Sequence, residues 1–261
     1  MIPLPQPGDL VQGKYRLGRV LGVGGMGMVV AARHVVLDEQ VALKLLLPDA
    51  AANPELIARF LREGRAAAKL KSEHVVRIRD VGTLPSGLPY MVMEHLEGRD
   101  LESLIDGSGP LPIAQAIDLL LQACEALAEA HDAGIVHRDL KPSNLFVVTM
   151  RDGSRFVKVL DFGISKLAST DDGKLTTTNT ALGSPLYMAP EQMLDSKSVD
   201  ARADVWACGV VLYEMLAGQP PFSGTSIPEI SIRIATTAHT PLRRVRPDVP
   251  APLEAIVDRA L

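Results

Sequence analysis

The 261-residue chain carries 27 basic and 31 acidic residues, a net charge of −4, and 47% of its residues are hydrophobic. That supply of apolar residues excludes a disordered chain, and the charge balance offers no footprint for nucleic acid or an anionic membrane. No apolar run reaches the ~20 residues that cross a bilayer, and the proline-rich start has no basic or apolar signal region, so a soluble, cytosolic chain with no membrane segment is expected.

Residues 1–14 read as an extended leader outside the core, rich in proline. Tyr15, Leu17 and Val20-Leu21 then lead into a glycine cluster, and Met28-Val29-Val30-Ala31-Ala32 follows it. After a polar turn at Asp38-Glu39-Gln40 comes Val41-Ala42-Leu43-Lys44-Leu45-Leu46-Leu47. Short β-rich runs bounded by turn residues predict an antiparallel meander. Asn53-Pro54 is a helix start, with Asn as N-cap and Pro at the first helical position. Phe60, Glu63, Ala67 and Leu70 share one face of that helix by their three- and four-residue spacing. Gly64 costs that helix about 1 kcal/mol relative to alanine, which reads either as a displaceable helix or as room for close neighbours. Strands resume at 75–81 and 89–94.

From about residue 99 the pattern turns helical. Ile113, Ile117, Leu120, Cys124, Leu127 and His131 repeat at helical steps, with Gly134 as the stop. A second helix runs from Asp204 to Leu216 and ends at Gly218 before Pro220-Pro221. Cys124 and Cys208 each lie in an apolar helical pattern and read as buried small hydrophobes, a reactive thiol being the minor alternative. The architecture expected is α+β: a small antiparallel β lobe with one helix over about 15–93, a hinge at 94–98, and a larger, mainly helical lobe over about 99–261.

Most of the chemistry lies in short motifs between these elements. Gly22-Val23-Gly24-Gly25-Met26-Gly27 matches G-x-G-x-x-G. A dinucleotide-binding turn would open a helix after the third glycine, but here a strand pattern follows. A glycine loop between two strands lets backbone amides approach ATP phosphates, and Lys44 on the next strand supplies a cation. A lysine on a buried strand needs a carboxylate, and Glu63 lies on the apolar face of the helix that follows. Further on come His137-Arg138-Asp139-Leu140-Lys141-Pro142-Ser143-Asn144, Asp161-Phe162-Gly163 and Ala189-Pro190-Glu191.

With these motifs in order, the chain resembles the eukaryotic-like (Hanks-type) protein kinase family from about Gly22 to Phe222. The resemblance implies a bilobal protein kinase fold that binds ATP and Mg²⁺ (or Mn²⁺) in the interlobe cleft. It implies that Asp139 handles the substrate hydroxyl proton, that Lys141 steadies the transferring phosphate, and that Asn144 and Asp161 hold the metal. His137 is structural in the family. Lys141 and the stretch from Ser184 to Glu191 resemble the serine/threonine branch, with Ser184 in substrate docking where threonine is usual. The glycine loop from Gly22 to Gly27 and the adjoining Met28 would cover the nucleotide. Leu21, Val29, Ala42 and Phe146 would enclose adenine, Met93 would guard the back of the pocket, and Glu94 and Leu96 would offer backbone hydrogen bonds. Arg138 would pair with a phosphorylated residue of the 161–191 segment, where Thr176 and Thr178 match bacterial members and Thr180 the eukaryotic count. Protein substrates and self-association for trans-autophosphorylation are the partners implied.

The resemblance also implies that the chain stops before the family's final helices. Glu191 would then lack its usual arginine, and the face Leu253, Ile256, Val257 and Leu261 would be left bare. Two rivals stand beside a serine/threonine protein kinase. A pseudokinase binding module is disfavoured by the complete set Lys44, Glu63, Asp139, Asn144 and Asp161. A small-molecule phosphotransferase is disfavoured by the peptide-docking stretch from Ser184 to Glu191.

Overall fold

The computed structural model describes residues 4–24, 27–162, 184–194 and 199–261. The chain divides into two compact units, Met1–Glu97 and Gly98–Leu261.

The first unit is built on an antiparallel sheet. Its strands are β1 (Leu10–Val11), β2 (Tyr15–Val23), β3 (Gly27–His34), β4 (Glu39–Leu46), β5 (Ile78–Thr83) and β6 (Pro89–Glu94), in the order β1-β2-β3-β4-β6-β5. Alternation sorts the side chains onto two faces. Met28, Val30, Leu43, Leu45, Tyr90 and Val92 form one core, joined by Tyr15 and Leu17. Cross-strand register puts Val29 opposite Lys44, Lys44 opposite Met91, and Ala42 opposite Met93, so these residues share the other face. Two helices, α1 (Pro48–Ala51) and α2 (Pro54–Ala67), connect β4 to β5.

The expected cap forms as read: Asn53 Oδ1 accepts from the Glu55 N–H at 2.8 Å, with Pro54 at the first helical position. Phe60, Glu63 and Ala67 are buried, but α2 ends at Ala67, so Leu70 lies beyond it. Gly64 is a packing glycine. A Cβ there would sit 2.7 Å from Met91 Cε and 2.9 Å from Val81 Cγ2, so α2 lies tight against β5 and β6.

The expected leader needs correction. Leu10 and Val11 pair with Arg16 and Tyr15, and Val11 is buried in the sheet core. An apolar side chain within reach of an exposed sheet edge gains more by pairing and burial than by staying in water.

In the second unit β7 (Gly98–Asp100), β8 (Leu145–Thr149) and β9 (Arg155–Val159) form a three-stranded antiparallel sheet in that order. The helices are α3 (Leu101–Ser108), α4 (Ile113–Asp132), α5 (Pro190–Leu194), α6 (Arg202–Ala217), α7 (Ile227–Thr236), α8 (Leu242–Val245) and α9 (Ala251–Ala260). α6 is apolar around its circumference and buried along nearly all its length, as such a helix must be. It stops at Gly218, whose φ of +77° is the left-handed turn expected of a C-terminal glycine.

Two sequence expectations shift here. The most buried line of α4 is Ala116, Leu119, Ala123, Ala126, Leu127 and Ala130, one step round from the larger apolar residues at 113, 117, 120 and 124. The alanines take the most buried line of the helix, and the bulkier side chains flank it. The face expected to be bare on α9 is partly covered: Leu253 and Val257 are buried, while Ile256 remains exposed. α9 packs on α6, where a Cβ on Gly209 would meet Ala260 Cβ at 2.7 Å.

Candidate active site

In the first unit the glycine turn is closed by the Gly24 N–H donating to the Gly27 carbonyl at 2.8 Å. Gly27 is required by close approach, since a Cβ there would lie 2.7 Å from the Leu45 carbonyl oxygen. Gly25 and Met26 lie outside the described residues. Gly22 pairs with Val29 and Val23 with Met28 across the turn. Leu21 and Val23 are exposed beside it. Met28 corrects the expectation for a nucleotide contact, because its side chain belongs to the core on the face opposite Val29. Strand alternation decides this.

On the Val29 face, Lys44 Nζ stands 4.0 Å from Glu63 Oε1, with both side chains largely buried. Burial makes this pair selective, since either charge alone would be costly there. Ala42 and Met93 are buried on the same face. The Glu94 N–H donates to the Arg77 carbonyl, and its carboxylate accepts from the Arg77 N–H at 2.8 Å. That ties the end of β6 to the start of β5 and leaves Leu96 in the half-buried segment that follows.

The second unit gathers the remaining motif residues. Asp204, at the start of α6 and 1% exposed, accepts from the N–H groups of His137 and Arg138 at 2.8 Å each. His131 Nε2 is 2.7 Å from the same carboxylate. Nearby, His137 is fully buried, with Nε2 at 2.9 Å from the Leu160 carbonyl and its ring against Phe162. It holds backbone in place, as the resemblance implied.

Asp139 follows. Lys141 Nζ lies 3.5 Å from Asp139 Oδ2, and Asn144 Nδ2 donates to the Asp139 carbonyl at 2.8 Å. Lys141 precedes a 3₁₀ turn, Pro142–Asn144, that sets Asn144 at the base of β8. Pairing of Leu145 with Val159, and of the Leu160 N–H with the Asn144 carbonyl at 2.8 Å, brings Asp161 back to the same end of the hairpin. Arg138 and Asp161 have φ of +64° and +46°, a left-handed backbone that non-glycine residues adopt at a cost. Both outliers fall at motif residues. Phe146 is half-buried on β8, opposite Asp100 and Lys158.

Some of the surrounding network was missed by sequence reasoning. The Tyr187 hydroxyl donates to Glu214 Oε2 at 2.8 Å. Burial pushes the Glu214 carboxyl up to about 7, with Glu102 and Asp106 adding to the rise against the lowering effect of Tyr187. Burial likewise raises the Tyr187 hydroxyl. Glu102 is raised by burial and then by Asp100 and Asp106, while Lys141 opposes the shift. Gln192 Nε2 donates to the Arg138 carbonyl at 3.0 Å, and its Oε1 accepts from the Ala189 N–H. The available signal was an acid inside the otherwise apolar helix 206–216. Glu191 is exposed, and its charge adds to the rise of the Arg202 guanidinium only after the larger effect of Asp200. Thr176, Thr178, Thr180 and Gly163 lie outside the described residues, and Ser184 opens a 3₁₀ turn, Ser184–Tyr187.

Against known proteins, the protein kinase domain family matches residues 15–255. The chain belongs to that family. It is 38% identical over 258 residues to the serine/threonine-protein kinase pkn3 of Myxococcus xanthus, covering 97% of this chain and 47% of that protein. It is 41% identical to Pkn1 of the same organism and 39% to PknB of Mycobacterium leprae, covering 95% of this chain and 35% and 39% of theirs. The chain thus spans less than half the length of these bacterial relatives. Among solved structures, the PknI kinase domain of Mycobacterium tuberculosis aligns over 99% of this chain and 90% of its own, with a TM-score of 0.75 at 29% identity. A double mutant of that kinase domain gives 0.76 at 27% identity, covering 99% and 91%. The bilobal α+β kinase fold read from the motifs is the fold of the molecule.

Proposed function

We propose that the chain transfers the γ-phosphate of ATP to serine or threonine hydroxyls of proteins. The observation that carries this is the cluster in which Asp139, Lys141 and Asn144 are locked within one turn, with Asp161 returned beside Asn144 by the β8–β9 hairpin. Phosphoryl transfer needs a carboxylate at the incoming hydroxyl, a cation on the moving phosphate and oxygen donors for a metal. Asp139 takes the first role, orienting the hydroxyl and accepting its proton. Lys141, already within 3.5 Å of Asp139, takes the second.

The donor set suits Mg²⁺ or Mn²⁺. Asn144 has its amide nitrogen turned onto Asp139, so it presents its oxygen, and Asp161 supplies a carboxylate, both hard ligands for a hard cation. When bound, the metal neutralises charge on the phosphate oxygens. Lys44, fixed by Glu63, is assigned to the nucleotide phosphates together with the backbone of Gly22–Gly27. Leu21, Val29, Ala42, Met93 and Phe146 are assigned to the base, with the backbone of Glu94 and Leu96.

Activation by phosphorylation of the 161–191 segment belongs to the same reading. Arg138 Nη1 is buried and has no hydrogen-bond partner among the described residues, while Nη2 donates to the Val199 carbonyl at 3.1 Å. A buried guanidinium nitrogen with spare donors suits a phosphate. Self-association would allow one chain to modify another.

The test is incubation with γ-labelled ATP, Mg²⁺ and a generic protein. The expected result is label on serine and threonine of the added protein, and on Thr176 or Thr178 of the chain itself. Label on small-molecule acceptors alone would overturn the protein-kinase reading. Self-modification confined to residues outside 161–191 would overturn the activation mechanism.

A further inference from the structure

Gln192 joins two parts of the second unit that lie 54 positions apart in sequence. It is the third residue of α5, which Pro190 opens. Its side chain turns back so that Oε1 accepts from the Ala189 N–H at 3.1 Å, while its own N–H donates to the Ala189 carbonyl at 3.0 Å. A glutamine or glutamate at that position caps a helix start in this way. Glutamine adds what glutamate lacks, because an amide keeps a donor after its oxygen is engaged. That donor, Nε2, reaches the Arg138 carbonyl at 3.0 Å.

The Arg138 carbonyl belongs to the peptide unit that leads into Asp139. Arg138 has a φ of +64°, a conformation that persists only where the surroundings hold it. On one side, Asp204 accepts from the Arg138 N–H at 2.8 Å. On the other, Gln192 holds the Arg138 carbonyl, and His137 Nδ1 accepts from the Asp139 N–H at 3.3 Å. Ala189 and His137, at the two ends of this chain of bonds, are fully buried. Asn144 holds the next carbonyl, that of Asp139, at 2.8 Å, so losing the Gln192 bond would free one side of Asp139 and not the other.

We propose that Gln192 is a positioning residue that clamps the Arg138–Asp139 peptide and thereby aims the Asp139 carboxylate. The same side chain ties Asp139 to the stretch from Ser184 to Glu191, which is expected to dock the peptide acceptor. Asp139, Met188 and Gln192 line one small pocket between them. One amide thus sets the acceptor's seat and the carboxylate that takes its proton, and small errors in such a geometry are costly in rate. Aiming matters only if Asp139 handles the acceptor hydroxyl, so this role rests on the phosphotransfer reading.

The test compares Gln192→Glu with Gln192→Met in the purified chain, well below the melting temperature of each. Gln192→Glu keeps the oxygen that caps α5 but loses the donor at neutral pH and sets a carboxylate against the Arg138 carbonyl. Gln192→Met keeps the side-chain length and loses both bonds. In both variants kcat for phosphotransfer to a generic protein should fall about tenfold, the factor that one lost hydrogen bond gives, with the KM for ATP unchanged. Amide exchange reads the clamp without reference to activity. Protection at Asp139 should fall about tenfold in both variants, and protection at Ala189 in Gln192→Met alone. A role confined to capping α5 would leave Gln192→Glu native in kcat and in exchange at Asp139, and that pattern overturns the proposal. Unchanged exchange at Asp139 in both variants overturns it as well, whatever happens to kcat. If the native chain labels no protein, the phosphotransfer reading fails, and exchange at Asp139 alone decides the clamp.

Discussion

Asp204 offers the sharpest energetic test, because one buried carboxylate holds the backbone at both His137 and Arg138. Asp204→Ala would leave the N–H groups of His137 and Arg138, each now 2.8 Å from a carboxylate oxygen, without an acceptor. His131 would lose its partner as well. His137 is fully buried and Asp204 only 1% exposed, so water is poorly placed to substitute. Each orphaned buried donor costs about 1–3 kcal/mol, and breaking a buried charged network costs about 3–5 kcal/mol in all. Against a net stability of about 5–15 kcal/mol, that loss is a large fraction. Amide exchange reads it where it acts: protection at His137 and Arg138 should fall about hundredfold, since about 1.4 kcal/mol corresponds to each factor of ten. Asp204→Asn keeps one acceptor oxygen and should fall between the variant and the native chain. Unchanged exchange at both amides in Asp204→Ala, with a urea midpoint equal to that of the native chain, would refute the role of Asp204 as a brace.

Three further predictions follow from the same packing. Gly64→Ala gains about 1 kcal/mol in helix propensity but must displace Met91 and the branched Val81 side chain, and overpacking costs about 1–3 kcal/mol. A lower melting temperature and a higher KM for ATP are expected; an increase in stability would show that the contact relaxes freely. Glu214 titrates near 7 in the folded chain and near 4.5 when unfolded, so folding takes up a proton there. Its stabilising contribution is present below about 4.5 and is lost as pH rises through about 7. Glu214→Gln, which can still accept from Tyr187, should flatten the fall in melting temperature over that interval, and an unchanged slope would discount the buried acid. Lys44→Met should lower phosphotransfer about 10²-fold or more through loss of phosphate positioning, with a native circular dichroism spectrum but a lower melting temperature, because Glu63 is left buried without that cation.

Much of the site was legible because its motifs are local. Asn53-Pro54 announces α2, Gly218 ends α6, and the residues assigned to phosphoryl transfer between Asp139 and Asn144 lie in one short stretch. What escaped depends on partners distant in sequence. Nothing near Val11 says that a sheet edge lies beside it. The face of α4 was displaced because alanine carries a weak hydrophobic signal, yet alanines make up most of its buried line. Met28 and Val29 are adjacent and both apolar, and only the register with Leu45 and Lys44 sends one to the core and the other to the Lys44 face. The Tyr187–Glu214 pair spans 27 positions, beyond the reach of any periodicity. The left-handed Arg138 and Asp161 are likewise invisible in sequence, because neither is a glycine that would advertise the conformation.

Asp139 is assigned to the acceptor hydroxyl, with little contribution to the fold. Its most direct test is the single-turnover rate of γ-phosphate transfer from ATP to a protein substrate in Asp139→Asn, measured beside nucleotide affinity and melting temperature. The rate should fall by about 10²-fold or more, as loss of a positioned general base requires, with affinity and melting temperature close to those of the native chain. A variant that keeps most of the native rate would contradict it.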